Sequence, residues 1–185
     1  MNQNPWITLS IKEIYENRWL RITHREVINP SGNPGIYGVV HFKNTAIGVV
    51  PLDEALNTWL VGQFRYALNK YTWEIPEGGA PLDTSPLEAA QRELLEETGI
   101  TAQRWTKILD VHTSNSVTDE YGMAFVAQDL SFGEAMPEET EQLQVRKLPF
   151  AEALEMVMNG EITDSLSMVA IMKVKFLLDA GNLSF

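Results

Sequence analysis

Residues 78–100 read GGAPLDTSPLEAAQRELLEETGI, and this stretch has the start and stop signals of a helix. Ser85-Pro86-Leu87-Glu88 has the pattern of a capping box with proline at the first helical position. Gly99 can adopt the left-handed conformation that commonly ends a helix. The stretch therefore predicts a helix that begins at about Pro86 and ends before Gly99.

The predicted helix separates apolar side chains from acidic ones. Each helical residue advances by about 100°, so Leu87, Ala90 and Leu94 share one face, which we expect in the core. Three carboxylates lie within an arc of about 100° beside that face: those of Glu93, Glu96 and Glu97. Like charges at this spacing repel, and hard oxygen ligands suit Mg²⁺ or Mn²⁺. By periodicity alone, a solvated acidic helix face is the favoured interpretation.

The amino-acid composition and net charge of the chain exclude several classes of protein. The chain has 185 residues, of which 44% are apolar and 21% charged, as expected of one globular domain, alone or with a small appendage. It has no cysteine, so disulfides and thiolate metal sites are excluded. The net charge of −11 argues against a nucleic-acid partner. Without an apolar run near 18 residues or the features of a signal peptide, we expect no membrane partner and a cytoplasmic location.

Alternating and β-rich segments predict a mixed sheet packed by helices, an α/β (α+β) fold. Beyond the first helix, two more are expected at Phe150–Met158 and Ser165–Leu178. A boundary near residues 43–45 would separate an N-terminal β-segment (1–44) from a second domain (45–185). The predicted strands are Ile7–Tyr15, Leu20–Ile28, Ile36–Phe42, Ala46–Leu52, Thr58–Phe64, Thr72–Ile75, Ile108–His112, Gly122–Ala127 and Gln142–Lys147.

The spacing in residues 78–100 resembles the Nudix box, G-x5-E-x7-R-E-U-x-E-E-x-G-U, where U is a bulky aliphatic residue. Thr84 stands where the box has its first glutamate. In the family that glutamate mainly supports the loop and the box arginine, whereas the later glutamates bind most of the metal. The matching positions are Gly78, Arg92, Glu93, Leu94, Glu96, Glu97, Gly99 and Ile100.

Two further stretches, Gln63-Phe64-Arg65-Tyr66 and Glu74-Ile75-Pro76-Glu77-Gly78-Gly79, resemble the ADP-ribose and nucleoside-diphosphate-sugar pyrophosphatase branch. The resemblance covers roughly residues 46–180. It implies a Nudix-type α/β/α sandwich and metal-dependent hydrolysis of a nucleotide sugar to a nucleoside monophosphate and a sugar phosphate. It also implies a homodimer in which residues 1–44 embrace the partner subunit.

The resemblance assigns roles to individual residues. Glu139 would be the general base, acting with Glu97 and Arg92 in catalysis. Substrate would be contacted by Arg65, at a phosphate, and by Ser114 and Glu120. The metal ligands would be the Glu77 carbonyl and the carboxylates of Glu93, Glu96, Glu97 and Glu141. From the residues alone, Arg65 could instead be a salt-bridge partner, Glu120 could cap a strand, and Glu139 and Glu141 could be solvated loop charges.

Two other functions stay open at this point. The first is a non-catalytic Nudix-fold module that senses a nucleotide, for which Thr84 is weak support. The second is a Nudix enzyme for dinucleoside polyphosphates or damaged nucleoside triphosphates. The retained Arg92, Glu93, Glu96 and Glu97 favour catalysis, because a sensor has no need of them.

Overall fold

The computed structural model of the chain describes residues 3–135 and 142–183, so Glu139 and Glu141 lie outside the described residues. The described ranges form ten β-strands and three α-helices. The helices are α1 (Pro86–Thr98), α2 (Phe150–Met158) and α3 (Ser165–Asp179). The strands are β1 (Ile7–Glu16), β2 (Leu20–Ile28), β3 (Pro34–Phe42), β4 (Asn44–Pro51), β5 (Asn57–Arg65), β6 (Lys70–Glu74), β7 (Glu77–Pro81), β8 (Ile100–His112), β9 (Tyr121–Phe132) and β10 (Gln144–Pro149).

The first three strands form an antiparallel sheet in the order β1-β2-β3. Little of this N-terminal sheet is buried within the single chain, since β1 is exposed along its whole length. Large apolar side chains on it face outward, among them Ile7, Leu9, Ile11 and Ile14. Large apolar side chains exposed in number on one strand are typical of a protein interface.

The remaining strands form a four-stranded sheet, β7-β4-β9-β8, and a three-stranded sheet, β10-β5-β6. β4 and β9 pair in parallel, whereas the other pairs are antiparallel, so the predicted mixed α/β architecture is confirmed. One core lies between the sheets and helices α2 and α3, with Leu60, Val126 and Ile171 at its centre. A second core, which includes Ile47 and Leu94, joins α1 to the four-stranded sheet.

Several predicted bounds differ from the structure. The strand β7 was not predicted because its sequence, EGGAP, has low β-propensity, and pairing with β4 forms it nevertheless. β8 starts at Ile100 rather than Ile108. Its first half was not predicted because few of its residues are buried, so the apolar alternation of a strand is weak there. β10 starts at Gln144 rather than Gln142.

The first helix follows its predicted bounds but not every predicted detail. Gly99 ends it in the left-handed conformation, with φ of 71°, and Pro86 is its first residue. The Ser85 side chain makes no capping hydrogen bond, so the expected capping box is wrong. Leu87 was expected in the core but is 38% exposed, because the buried face turns toward Ala89 and Ala90 instead.

Candidate active site

Helix α1 buries two of its three predicted carboxylates. Glu93 is 7% exposed and Glu97 is 2% exposed, whereas Glu96 is only partly buried. The alternative of a solvated acidic face is therefore wrong for Glu93 and Glu97. Burial of two like charges one helical turn apart is unfavourable unless positive groups or hydrogen-bond donors compensate it.

The strand β7 leaves space for the Glu93 carboxylate and donates a hydrogen bond to the Glu97 carboxylate. A Cβ atom added to Gly78 would stand 2.2 Å from Cδ of Glu93, so only glycine leaves room for that carboxylate. The adjacent Glu77 N–H donates a hydrogen bond to Oε2 of Glu97 at 3.0 Å. Strand and helix are thus fitted to each other at Gly78, the first residue of the box, and at Glu77 just before it.

Arg92 neutralises part of the acidic cluster and holds the glycine-rich strand. Its guanidinium donates to Oε1 of Glu93 at 2.6 Å and to Oε2 of Glu96 at 2.8 Å. A third bond, at 3.2 Å, goes to the carbonyl oxygen of Gly79. Arg92 therefore anchors the strand without a carboxylate at position 84, where the Thr84 N–H instead donates to the Pro81 carbonyl at 2.9 Å.

Arg65 lies between two carboxylates. Its Nε donates to both oxygens of Glu74 at 3.0 Å, and Nη2 donates to Oε1 of Glu77 at 2.8 Å. Glu74 is 2% exposed and also accepts a hydrogen bond from the Thr72 hydroxyl. The salt-bridge interpretation of Arg65 thus holds in this structure, and phosphate contact stays a prediction.

A cavity of about 590 Å³ opens beside this ion pair, between Arg65, Tyr66, Glu77 and Asp164. Burial raises the pKa of Glu77 well above its usual range, and the nearby charges of Asp164 and Glu74 raise it further. Asp164 also caps α3, since its side chain accepts from the Ser167 N–H at 2.7 Å. Neither Glu74 nor Asp164 was assigned a role from the sequence, although the Asp-x-x-Ser pattern at a helix start signals the cap.

The loop of residues 113–120, with Ser114 and Glu120, comes directly before β9. The register aligns Gly122 of β9 with Ala46 and Gly79 on the two neighbouring strands. Strands are spaced 4.7–4.9 Å apart, so Gly122 lies about 10 Å from Gly79. The Ser114 carbonyl accepts from the Val117 and Thr118 N–H groups, which closes the loop on itself, and the Glu120 carboxylate accepts from the Thr113 hydroxyl. The loop therefore ends on the same sheet as the glycine-rich strand, two strands away from it.

Among the residues that the structure describes, no three Asp, Glu or His side chains form a complete metal site by themselves. The groups that are present nevertheless suit a divalent cation. Glu93 and Glu97 are buried hard oxygen donors, one turn apart, and Gly78 leaves space for the Glu93 carboxylate. The predicted base Glu139 and the predicted ligand Glu141 lie outside the described residues.

Comparison with known proteins shows which family the chain belongs to. A model of the NUDIX domain matches residues 42–165. The chain belongs to the Nudix family. A second model, described as the nucleoside diphosphate sugar hydrolase N-terminal domain, matches residues 3–40.

Individual Nudix relatives agree with the match. An ADP-ribose pyrophosphatase of Bacillus subtilis (strain 168) is 31% identical over 166 residues, which cover 89% of each chain. An ADP-ribose pyrophosphatase of Mycobacterium tuberculosis is 28% identical over 94% of this chain and 85% of its own. A crystal structure described as an ADP compounds hydrolase superposes with a TM-score of 0.86 at 20% identity, covering 99% of this chain and 100% of the other. The last likeness concerns the fold alone.

These findings confirm the predicted Nudix family, its fold and its class of hydrolase. Nudix hydrolases generally require a divalent metal, in agreement with the buried carboxylates of α1. Within the described residues, no helix is both long and apolar enough to cross a membrane. The roles of the individual site residues stay predictions.

Proposed function

We propose that this Nudix protein hydrolyses the diphosphate linkage of ADP-ribose or other nucleoside diphosphate sugars to a nucleoside monophosphate and a sugar phosphate. The observation that carries the proposal is the burial of Glu93 against Gly78 and of Glu97 against the Glu77 N–H. Two buried carboxylates one helical turn apart are costly for folding and useful for holding a cation. The relatives that are named ADP-ribose pyrophosphatases support this substrate class.

In the proposed site, the cation would be held by Glu93, Glu97, the Glu77 carbonyl and, outside the described residues, Glu141. Bound Mg²⁺ or Mn²⁺ neutralises diphosphate oxygens and acidifies a water. Glu96 completes the acidic set and Arg92 fixes Glu93 and the glycine-rich strand. Glu139, which lies outside the described residues, would take the proton from the attacking water as the general base.

The substrate is proposed to lie between this centre, Arg65 and the loop of residues 113–120. Arg65 would reach a phosphate by exchanging one of its two carboxylate partners, since its fork geometry suits either anion. Ser114 and Glu120 would contact the sugar side of the molecule from the loop. The cavity beside Arg65 provides space for part of the substrate.

The proposed organisation has an N-terminal segment, residues 1–44, and a Nudix domain, residues 45–185. We propose that the N-terminal sheet pairs two copies into a homodimer in the cytoplasm, without nucleic acid or membrane as partner. The exposed apolar side chains of β1 support the dimer. Sedimentation or light scattering would give the mass of two chains in solution, and a single-chain mass at micromolar concentration would contradict it.

A substrate panel tests the activity directly. The protein is incubated with Mg²⁺ and ADP-ribose, ADP-glucose, UDP-glucose, GDP-mannose, a dinucleoside polyphosphate and a nucleoside triphosphate, and products are identified by mass. The proposal predicts nucleoside monophosphate plus sugar phosphate from nucleotide sugars, loss of turnover with chelator, and recovery with Mg²⁺ or Mn²⁺. Folded protein that hydrolyses none of the nucleotide sugars would contradict the proposal.

A further inference from the structure

The loop of residues 113–120 is fastened to the N-terminal sheet at several points. The Tyr37 hydroxyl on β3 donates to the Ser116 carbonyl at 2.6 Å, and the Asp119 carboxylate accepts two hydrogen bonds from the end of the same strand. Oδ2 of Asp119 accepts a hydrogen bond from Nδ1 of His41 at 2.5 Å. Its Oδ1 accepts from the Phe42 N–H at 3.0 Å. Both donors belong to the end of β3, immediately before the chain enters β4 and the Nudix domain.

Backbone bonds continue this attachment. The Val40 N–H donates to the Val117 carbonyl at 2.9 Å, and the Asp119 N–H donates to the Val40 carbonyl at 3.2 Å. These bonds form a parallel bridge between Val40 and Thr118, just before β4 and β9 begin their own parallel pairing. The loop is therefore held along the same line as the central pair of strands.

The orientation of His41 is set from its other side. Its Nε2 lies 3.1 Å from Nη2 of Arg25 and 3.1 Å from Oγ1 of Thr23. A guanidinium can only donate, so Nε2 accepts and the ring proton lies on Nδ1. Nδ1 is then the donor to Asp119. The His41 ring, with its proton on Nδ1, thus links Arg25 and Thr23 of strand β2 to the loop.

Asp119 is suited to be the ionised partner. Burial opposes ionisation of this carboxyl, but the hydrogen bonds from His41 and the Phe42 N–H outweigh it and hold the pKa of Asp119 below its usual range. A hydrogen bond to a charged acceptor is roughly twice as strong as one between neutral groups. The two hydrogen bonds to the Asp119 carboxylate therefore help to hold this end of the loop, beside the backbone bonds of Val40.

We propose that His41 is a positioning residue for the reaction, which fixes the loop carrying Ser114 and Glu120 through Asp119 and thereby sets the affinity for the nucleotide sugar. The effect on affinity rests on the proposed function. His41 bonds to Asp119, Thr23 and Arg25, and the carboxylates of Glu93 and Glu97 lie on another element. Loss of His41 therefore disturbs the loop and leaves the box in place.

Three variants separate this role from a general structural one. His41→Leu removes the donor at similar volume, and we expect KM to rise about tenfold with kcat within about twofold of the wild type. His41→Asn keeps an amide donor near the position of Nδ1, and its KM should stay within about threefold of the wild type. His24→Leu, on β2 opposite Gly38, is the matched control and should leave KM unchanged.

A double-mutant cycle and hydrogen exchange complete the test. The KM effects of His41→Leu and Asp119→Ala should be non-additive, because both break the same bond. In His41→Leu, exchange at the Val40 and Asp119 amides should accelerate at least tenfold, with amides of α1 unchanged. Additive effects, wild-type KM and exchange in His41→Leu, or the same KM rise in His24→Leu would overturn the proposal. If the wild type hydrolyses no nucleotide sugar, the proposed function fails and exchange alone decides the role of His41 in loop position.

Discussion

The Glu93 carboxylate lies directly over Gly78, so close that a Cβ atom at position 78 would be 2.2 Å from Glu93 Cδ and 2.3 Å from its Oε1. The space that the Glu93 carboxylate occupies therefore explains why the first residue of the Nudix box is glycine. Its backbone does not adopt the left-handed conformation, so the requirement is space for a carboxylate and not a special dihedral angle.

Gly78→Ala should displace Glu93 and reduce kcat/KM by at least about a hundredfold, since a misplacement of about 1 Å can cost that much in rate. The control is Gly38→Ala on β3, where an added Cβ meets no atom within 4 Å. Steady-state kinetics with Mg²⁺ and the best substrate of the panel measure both. A Gly78→Ala enzyme with wild-type kcat/KM would show that Glu93 need not lie where the structure places it.

Glu97→Gln should lower kcat by about a thousandfold or more, because it replaces the charged side chain of a proposed metal ligand by a neutral one of the same shape. The matched control is Glu88→Gln, an exposed change of the same chemistry in the first turn of the same helix. Titration with Mn²⁺ followed by electron paramagnetic resonance should show weakened binding in Glu97→Gln alone. Full activity in this variant would refute the metal assignment.

The sequence predicted the helix that carries Glu93 and Glu97 better than it predicted the contacts of Arg65. The spacing of Glu93 and Glu97 placed both on one helix beside an apolar face, and helix geometry is local enough to be computed from spacing alone. The partners of Arg65 could not be found that way. Glu74 and Glu77 meet Arg65 only because β5 and β6 pair and the chain then turns into β7, and such pairings depend on the whole sheet.

Thr84→Glu, which restores the consensus box, should change kcat/KM by less than about threefold. Arg92 already has three acceptors, in Glu93, Glu96 and the Gly79 carbonyl, so a further carboxylate adds little to the anchoring of the strand. Arg92→Met is the informative comparison, because it removes all three bonds and should reduce kcat/KM by about a hundredfold or more. A tenfold gain in Thr84→Glu would mean that the natural threonine leaves the strand loose.

Arg65→Met should destabilise the fold by about 2–4 kcal/mol, because the nearly fully buried Glu74 loses its cation. The lower part of that range is expected, since the Arg65 side chain is 37% exposed and water replaces part of the pairing. Urea unfolding without metal measures the free energy. The double variant Arg65→Met/Glu74→Met should recover most of the loss, and if it is as unstable as the single variant, the buried charge is not the cause.

Glu77 should make stability depend on pH in the direction opposite to most carboxylates. Burial, with Asp164 and Glu74 nearby, raises its pKa in the folded protein above that of the unfolded chain. Folding thus favours the protonated form of Glu77. Its contribution to stability is complete below the pKa of the unfolded chain and is lost as pH rises through the pKa of the folded protein.

Glu77→Gln removes this pH-dependent contribution to stability, while its amide oxygen can still accept from Arg65. The melting temperature of Glu77→Gln relative to the wild type should therefore increase from pH 4.5 to pH 8, measured without divalent metal. Glu88→Gln, an exposed carboxylate on α1, should show no such trend. Parallel melting curves for Glu77→Gln and the wild type over this range would mean that Glu77 ionises normally in the folded protein.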